Sequence, residues 1–90
     1  MDIHIDVLTA TPVISRTATR SLHVQFVDGT AGYVHFEPNH LRGVFAVLAD
    51  RNVFNQVRVE NGYVTWPGEL DLAPDAMYAN IRKNGEWVLE

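Results

Sequence analysis

The stretch NGYVTWPGELDLAPDAMY, residues 61–78, carries three carboxylates, Glu69, Asp71 and Asp75. Two chemistries use such groups. An acid/base pair needs carboxyls roughly 5–10 Å apart across a cleft, one of them with its pKa raised by burial. A calcium loop needs alternating oxygen ligands about a central glycine and a closing bidentate glutamate. GELDLAPD has the wrong order and too few ligands for that loop. Backbone donors explain the carboxylates more simply: Asp71 as an N-cap or turn former ahead of Pro74, and Asp75 at the positive end of a helix dipole. Glu69 is expected in solvent, where with Asp71 it could form an acidic lip for a partner.

Four histidines, His4, His23, His35 and His40, are the remaining metal-type ligands. Neither H-x-H nor H-x-x-x-H spacing occurs, and a closed site needs three or four convergent ligands with an oriented outer shell. No metal or other cofactor is expected. Ser15 and Ser21 are the two serines, and neither lies in a G-x-S-x-G elbow. The six glycines are dispersed, so no phosphate-cradling loop is present. No catalytic residue is assigned and the chain is expected not to be an enzyme. Aromatic side chains are better candidates, because Trp and Tyr anchor interfaces. Trp66 ends a strand and is weighed as core or as a partly exposed anchor. Tyr33 is the aromatic expected at the surface. The candidate interaction surface is therefore Tyr33, His23, His35, Trp66, Glu69 and Asp71.

Composition limits the partners. A net charge of −4, from 11 acidic and 7 scattered basic residues, lacks the concentrated positive field that phosphate binding requires. Direct nucleic-acid binding is not expected. No apolar run approaches the roughly 18 residues that span a bilayer, and MDIHIDVL lacks the basic start of a secretory signal. Without cysteine there is no disulfide framework. A cytoplasmic protein free of the membrane is the expectation. The hydrophobic fraction of 47% is that of a globular chain, and residues 1–90 read as one domain without repeat or linker.

The elements that must position these residues follow from periodicity. IHIDVL (3–8) alternates as a half-buried strand, and the Thr-rich segment 9–20, broken by Pro12, reads as a loop or irregular edge. RSLHVQFVDGTAGYVHFE (20–37) is a hairpin. A three-residue loop, Val27-Asp28-Gly29 with Gly29 left-handed, pairs 22 with 34 and 24 with 32. It gathers Leu22, Val24, Phe26, Val34 and Phe36 on one face, and His23, Tyr33 and His35 on the other. In PNHLRGVFAVLAD (38–50), Leu41, Val44, Phe45 and Leu48 have the spacing of one buried helical stripe. RNVF is a turn with Phe54 inward. QVRVENGYVTW (56–66) is a second hairpin about an Asn61-Gly62 type I′ turn, pairing Val59 with Val64. A helix starts at Pro74 and Asp75, buries Met77, Tyr78 and Ile81, and stops at Asn84-Gly85. Trp87 should dock back on the domain. The sum is an α+β fold: a small antiparallel sheet of two hairpins plus an N-terminal strand, with two short helices on one face.

LHVQFVDGTAGYVHFEP, LRGVFAVLAD and FNQVRVENGYVTWPGELDLAPDAMY together resemble the small bacterial domain of unknown function 2442. The likeness covers residues 20–78 and is most specific in the tail W-P-x-x-x-D-L-x-P-D-x-M-Y. That family has no established activity and no assigned catalytic residues. Stand-alone members resemble one half of two-gene cassettes beside another small domain, number 4160, in the manner of a toxin–antitoxin pair. Some members carry a helix-turn-helix segment, which these 90 residues do not include. A sheet this small is expected to keep an open edge, and open edges pair with a second copy or a partner strand, so a non-catalytic protein-interaction module is expected, as a homodimer or with a small partner protein; the resemblance points the same way and implies the neutralising or accessory half of such a pair. The alternatives are a small enzyme or ligand-binding domain using Asp71, Asp75 and a histidine, and a regulator reaching DNA only through a separate chain.

Overall fold

A computed structural model of the chain describes residues 5–13, 19–68 and 70–89. Ile3, His4, the middle of the Thr-rich segment with Ser15, and Glu69 lie outside the described residues. Among the described residues seven strands form two sheets. β1 (Val7–Val13), β2 (Arg20–Phe26), β3 (Ala31–Phe36) and β7 (Glu86–Leu89) make one, in the order β1-β2-β3-β7. β4 (Arg58–Glu60), β5 (Tyr63–Trp66) and β6 (Leu70–Leu72) make the other. Helix α1 (Arg51–Phe54) is a single turn, and α2 (Pro74–Asn84) is the one long helix. The α+β class holds, but not the single antiparallel sheet. β6 closes a second sheet, and β7 returns to pair with β3 in parallel.

The first hairpin has the register its apolar pattern selects, with Leu22 opposite Val34 and Val24 opposite Gly32. Gly29 closes the loop at φ 93°, and Thr30 N–H donates to Asp28 Oδ1 across it. In the second hairpin Val59 faces Val64, and Asn61 (φ 53°) and Gly62 (φ 81°) supply the two left-handed residues of a type I′ turn. Of the two readings of the Thr-rich segment, the irregular edge holds over residues 9–13. They continue β1 as an edge strand, where Pro12 is tolerated, after an irregularity between Val7 and Thr9 leaves Leu8 exposed.

The segment expected to be a helix with one buried stripe is instead a 3-10 run, Gly43–Ala49, after a shorter one at Pro38–His40. Gly43 at φ 56° bars helix propagation from Leu41, and the tighter winding aligns i with i+3. Phe45 and Leu48 therefore share the inner row, half-buried and buried respectively, while Val44 and Val47 form an outer row, 74% and 50% exposed. Asp50 ends the run and caps α1, accepting from Asn52 N–H at 2.9 Å.

One core joins both sheets. Leu22, Val24, Phe26, Val34 and Phe36 meet Leu48, Phe54, Val64, Trp66, Met77 and Ile81. Gly32 sits where α2 turns into β7. A methyl there would strike the Gly85 carbonyl oxygen and lie 2.7 Å from Ile81 Cγ2. Gly85 itself, at φ 79°, ends α2 by donating its N–H to Ile81 O at 2.7 Å.

Candidate functional site

Strand alternation decides which side chains leave the core. Ser21, His23 and Gln25 of β2 point away from Leu22, Val24 and Phe26, and their partners across the ladder are His35, Tyr33 and Ala31. On one flank β1 adds Val13, Thr11 and Thr9 opposite the same β2 residues. On the other, β7 adds Glu86 beside Tyr33 and Val88 beside His35. Thr9, Thr11, Val13, Gln25, Tyr33 and Val88 are all exposed, so this sheet face is open.

Tyr33 stands between two imidazoles. Its ring lies edge-on to His23 at 5.1 Å and stacks on His35 at 6.1 Å, with 11° between the planes. His35 is held from both sides: its Nδ1 lies 2.7 Å from Ser21 Oγ and its Nε2 lies 3.1 Å from Glu86 Oε2. An ionised carboxylate can only accept, so Nε2 donates to Glu86, and the serine hydroxyl, able to donate or accept, meets Nδ1. The order serine, imidazole, carboxylate is that of a nucleophilic relay. The relay lies on this exposed sheet face. Its effect is to fix the orientation of His35, against which Tyr33 stacks.

Trp66 does not belong to this surface. It is 1% exposed, crossed edge-on by Phe36 at 5.9 Å, and its indole N–H donates to Phe54 O at 3.0 Å. A tryptophan whose polar atom finds a buried carbonyl has no need of solvent. Of the two readings of Trp66, the core one holds, and its place in the candidate interaction surface is corrected.

Asp71 is exposed but is not a helix cap. It lies on β6 opposite Thr65, and its Oδ1 accepts from the buried Thr65 hydroxyl at 2.7 Å. The N-cap of α2 is Ala73, without a side-chain bond; Pro74 opens the helix and Asp75 lies in its first turn. Three adjoining concavities have Asp71 in their walls, and none of them includes Asp75 or a histidine. Glu69 lies outside the described residues. Among those residues no group of three His, Asp or Glu side chains is placed to hold a metal ion, and no helix is long and apolar enough to cross a membrane.

The electrostatic feature that stands out is Asp28. Tyr78 O–H donates to its Oδ2 at 2.6 Å, the Thr30 amide donates to Oδ1, and Arg82 reaches Tyr78 from the next turn of α2. The tyrosine hydrogen bond, the amide and the Arg82 charge together hold the Asp28 carboxyl below its ordinary pKa. This network ties the β2–β3 loop to α2.

Sequence reading missed Ser21, Glu86, Val13 and Val88. Ser21 was within reach, because the register that sets 22 opposite 34 also sets 21 opposite 35. Glu86 and Val88 had no local signal, since parallel pairing with β3 spans some fifty residues.

Fold and surface define a small two-sheet α+β domain whose exposed aromatic and imidazole side chains share one sheet face. The chain belongs to the family described as protein of unknown function (DUF2442), whose model matches residues 13–83. No curated protein and no solved structure matches it.

Proposed function

We propose that the chain is a non-catalytic protein-interaction module of the bacterial cytoplasm that docks a small partner protein on the open face of the four-stranded sheet. The observation that carries this reading is Tyr33, 45% exposed at the centre of an uncovered face and held between His23 and His35. Interface hot spots are rigid aromatics surrounded by groups that exclude water. Because the Ser21–His35–Glu86 chain already fixes the neighbouring ring, little side-chain entropy is lost on binding. Val13 and Val88 flank the centre and supply apolar area. The resemblance to cassette-borne members supports a finer role, as the neutralising or accessory half of a two-gene pair.

Affinity capture of the tagged chain from its host should recover one small partner at one-to-one stoichiometry. Tyr33→Ala should weaken that complex by about 30-fold, the effect of a hot spot worth about 2 kcal/mol, while leaving thermal unfolding unchanged. A complex that forms equally well with Tyr33→Ala places the interface elsewhere and ends this reading.

A further inference from the structure

The four-stranded sheet ends in β1 on one side and β7 on the other, and the direction of the backbone hydrogen bonds tells the two edges apart. Phe26 N–H donates to Thr30 O at 2.7 Å. The alternation that follows turns the backbone groups of Leu22, Val24 and Phe26 toward β3, and those of Ser21, His23 and Gln25 toward β1. Their partners Val13, Thr11 and Thr9 are thereby bonded inward, and Ala10 and Pro12 present the outer edge of β1. Pro12 brings no N–H to that edge. At the start of the strand the Val7 amide is already taken by Gly62 O at 3.0 Å. The β1 edge is blocked.

The β7 edge is not. Tyr33 N–H donates to Gly85 O and Glu37 N–H to Leu89 O, which sets the backbone groups of 85, 87 and 89 toward β3. Glu86 and Val88 each turn an N–H and a C=O away from the sheet, and both residues are exposed. Among the described residues no hydrogen bond meets these four groups.

We propose that β7 pairs with β7 of a second copy, antiparallel about a two-fold axis, with Trp87 opposite Trp87. In this register Glu86 lies opposite Val88 of the second copy and Val88 opposite its Glu86, so every outward group on both strands finds its complement and no carboxylate faces another. Sliding one way sets Glu86 against Glu86, a like-charge pair. Sliding the other way leaves the Glu86 groups opposite no described residue. A longer strand from another protein would overrun β7 at Gly85, where the chain turns back into α2 and the Gly85 amide is bonded to Ile81 O. With the β1 edge blocked, this pairing closes at two copies. Trp87, half-buried on the core side, gains an aromatic cross-strand neighbour. The axis stands perpendicular to the sheet, so both Tyr33 faces look the same way and stay uncovered. The dimer doubles the docking face proposed above without depending on what binds there. Two strands of four residues bury little area, so the association is weak and concentration-dependent.

Sedimentation equilibrium of the full chain over a wide concentration range should show monomer and dimer and no larger species. Val88→Pro removes an outward N–H without touching the bonds to β3, and should abolish the dimer while keeping the parent circular dichroism spectrum. Side-chain charge tests the register. Val88→Glu places two carboxylate pairs face to face and should weaken the dimer about fivefold; Val88→Lys makes two opposite-charge pairs and should tighten it by about as much, an effect that fades as salt is raised. Leu8→Glu and Leu8→Lys, on exposed β1, change the net charge equally and should leave the dissociation constant near the parent value, as should Tyr33→Ala. A chain that stays monomeric at the highest concentration, a dimer that survives Val88→Pro, or one on which Val88→Glu and Val88→Lys act alike would each overturn the proposal. So would a captured protein whose binding is lost in Val88→Pro and kept in Tyr33→Ala, since the edge would then belong to that protein.

Discussion

Replacing Gly32 with alanine adds one methyl at the most crowded junction of the fold. Gly32 is paired with Val24 on β2, and its missing side chain lets the last turn of α2 rest on β3. The added carbon would lie 2.7 Å from Ile81 Cγ2 and would strike the Gly85 carbonyl oxygen. Ordinary contact begins near 3.4 Å, so Ile81 must retreat by about 0.7 Å and the Gly85 backbone with it. Ile81 is 3% exposed in the core and cannot swing aside. Gly85 is held at φ 79° by its hydrogen bond to Ile81 O, and its own carbonyl accepts from Tyr33 N–H at 3.4 Å. Neither neighbour is the free end of a flexible side chain. Overpacking of a close-packed site costs about 1–3 kcal/mol, and displacement of backbone on both sides puts Gly32→Ala at the upper end, about 3 kcal/mol.

For a domain of this size each kcal/mol lowers Tm by about 4–8 °C, so the variant should melt about 12–24 °C below the parent. Calorimetry gives the shift directly, and a urea titration separates it from any change in m. Gly29→Ala is the control: its Cβ meets nothing within 4 Å, and its cost comes from the left-handed φ of 93°, about 1 kcal/mol. If Gly32→Ala melts within about 4 °C of the parent, or no lower than Gly29→Ala, α2 does not rest on β3 as described.

Two further outcomes test the local electrostatics. The bond between Asp71 and Thr65 should appear as a coupling of about 0.5–1.5 kcal/mol in a double-mutant cycle of Asp71→Ala and Thr65→Val, read by urea unfolding; zero coupling, with helix content lost in Asp71→Ala alone, would restore Asp71 to a capping role. Asp28 has a folded pKa below its unfolded value, so its contribution is present above the unfolded pKa, near 3.8, and is lost as pH falls through the folded one. Asp28→Asn should therefore lower Tm at neutral pH, by a margin that narrows as the pH is taken below 4; a margin that is constant or grows with acid would contradict the Tyr78 hydrogen bond as its cause.

Hairpins were legible in the sequence because loop chemistry and alternation are both local. Asn61-Gly62 demands a two-residue turn, and only a three-residue loop at Val27-Asp28-Gly29 leaves the apolar residues of β2 and β3 on one side. The division into two sheets was not legible. Nothing near Trp87 says whether EWVL docks as a strand or as a tail, and its pairing with β3 depends on where α2 ends. The 3-10 run is hidden from the sequence for a different reason. Leu41, Val44, Phe45 and Leu48 match an α-helical stripe, and the left-handed φ of Gly43 that prevents it is a conformational choice no spacing encodes. No local pattern settles Trp66 as core, because the buried acceptor for its indole, Phe54 O, comes from twelve residues earlier. Asp71 was assigned to backbone donors because its partner, Thr65, faces it only once β6 has formed.

The docking face depends on the same junction as the stability of the fold. His23 and Tyr33 sit opposite each other on one hairpin and would be neighbours in any state that forms it. The second tether of His35 forms only when Glu86 arrives from fifty-one residues away, and Glu86 follows directly on the glycine that ends α2. The hairpin alone would thus present Tyr33 beside a His35 held from one side, by Ser21. Pre-organisation of the face is a tertiary property, supplied through the contact of Gly85 with Gly32 and Tyr33. A substitution that loosens this contact weakens binding in proportion to the freedom His35 regains, even when Tyr33, His23 and His35 are all intact.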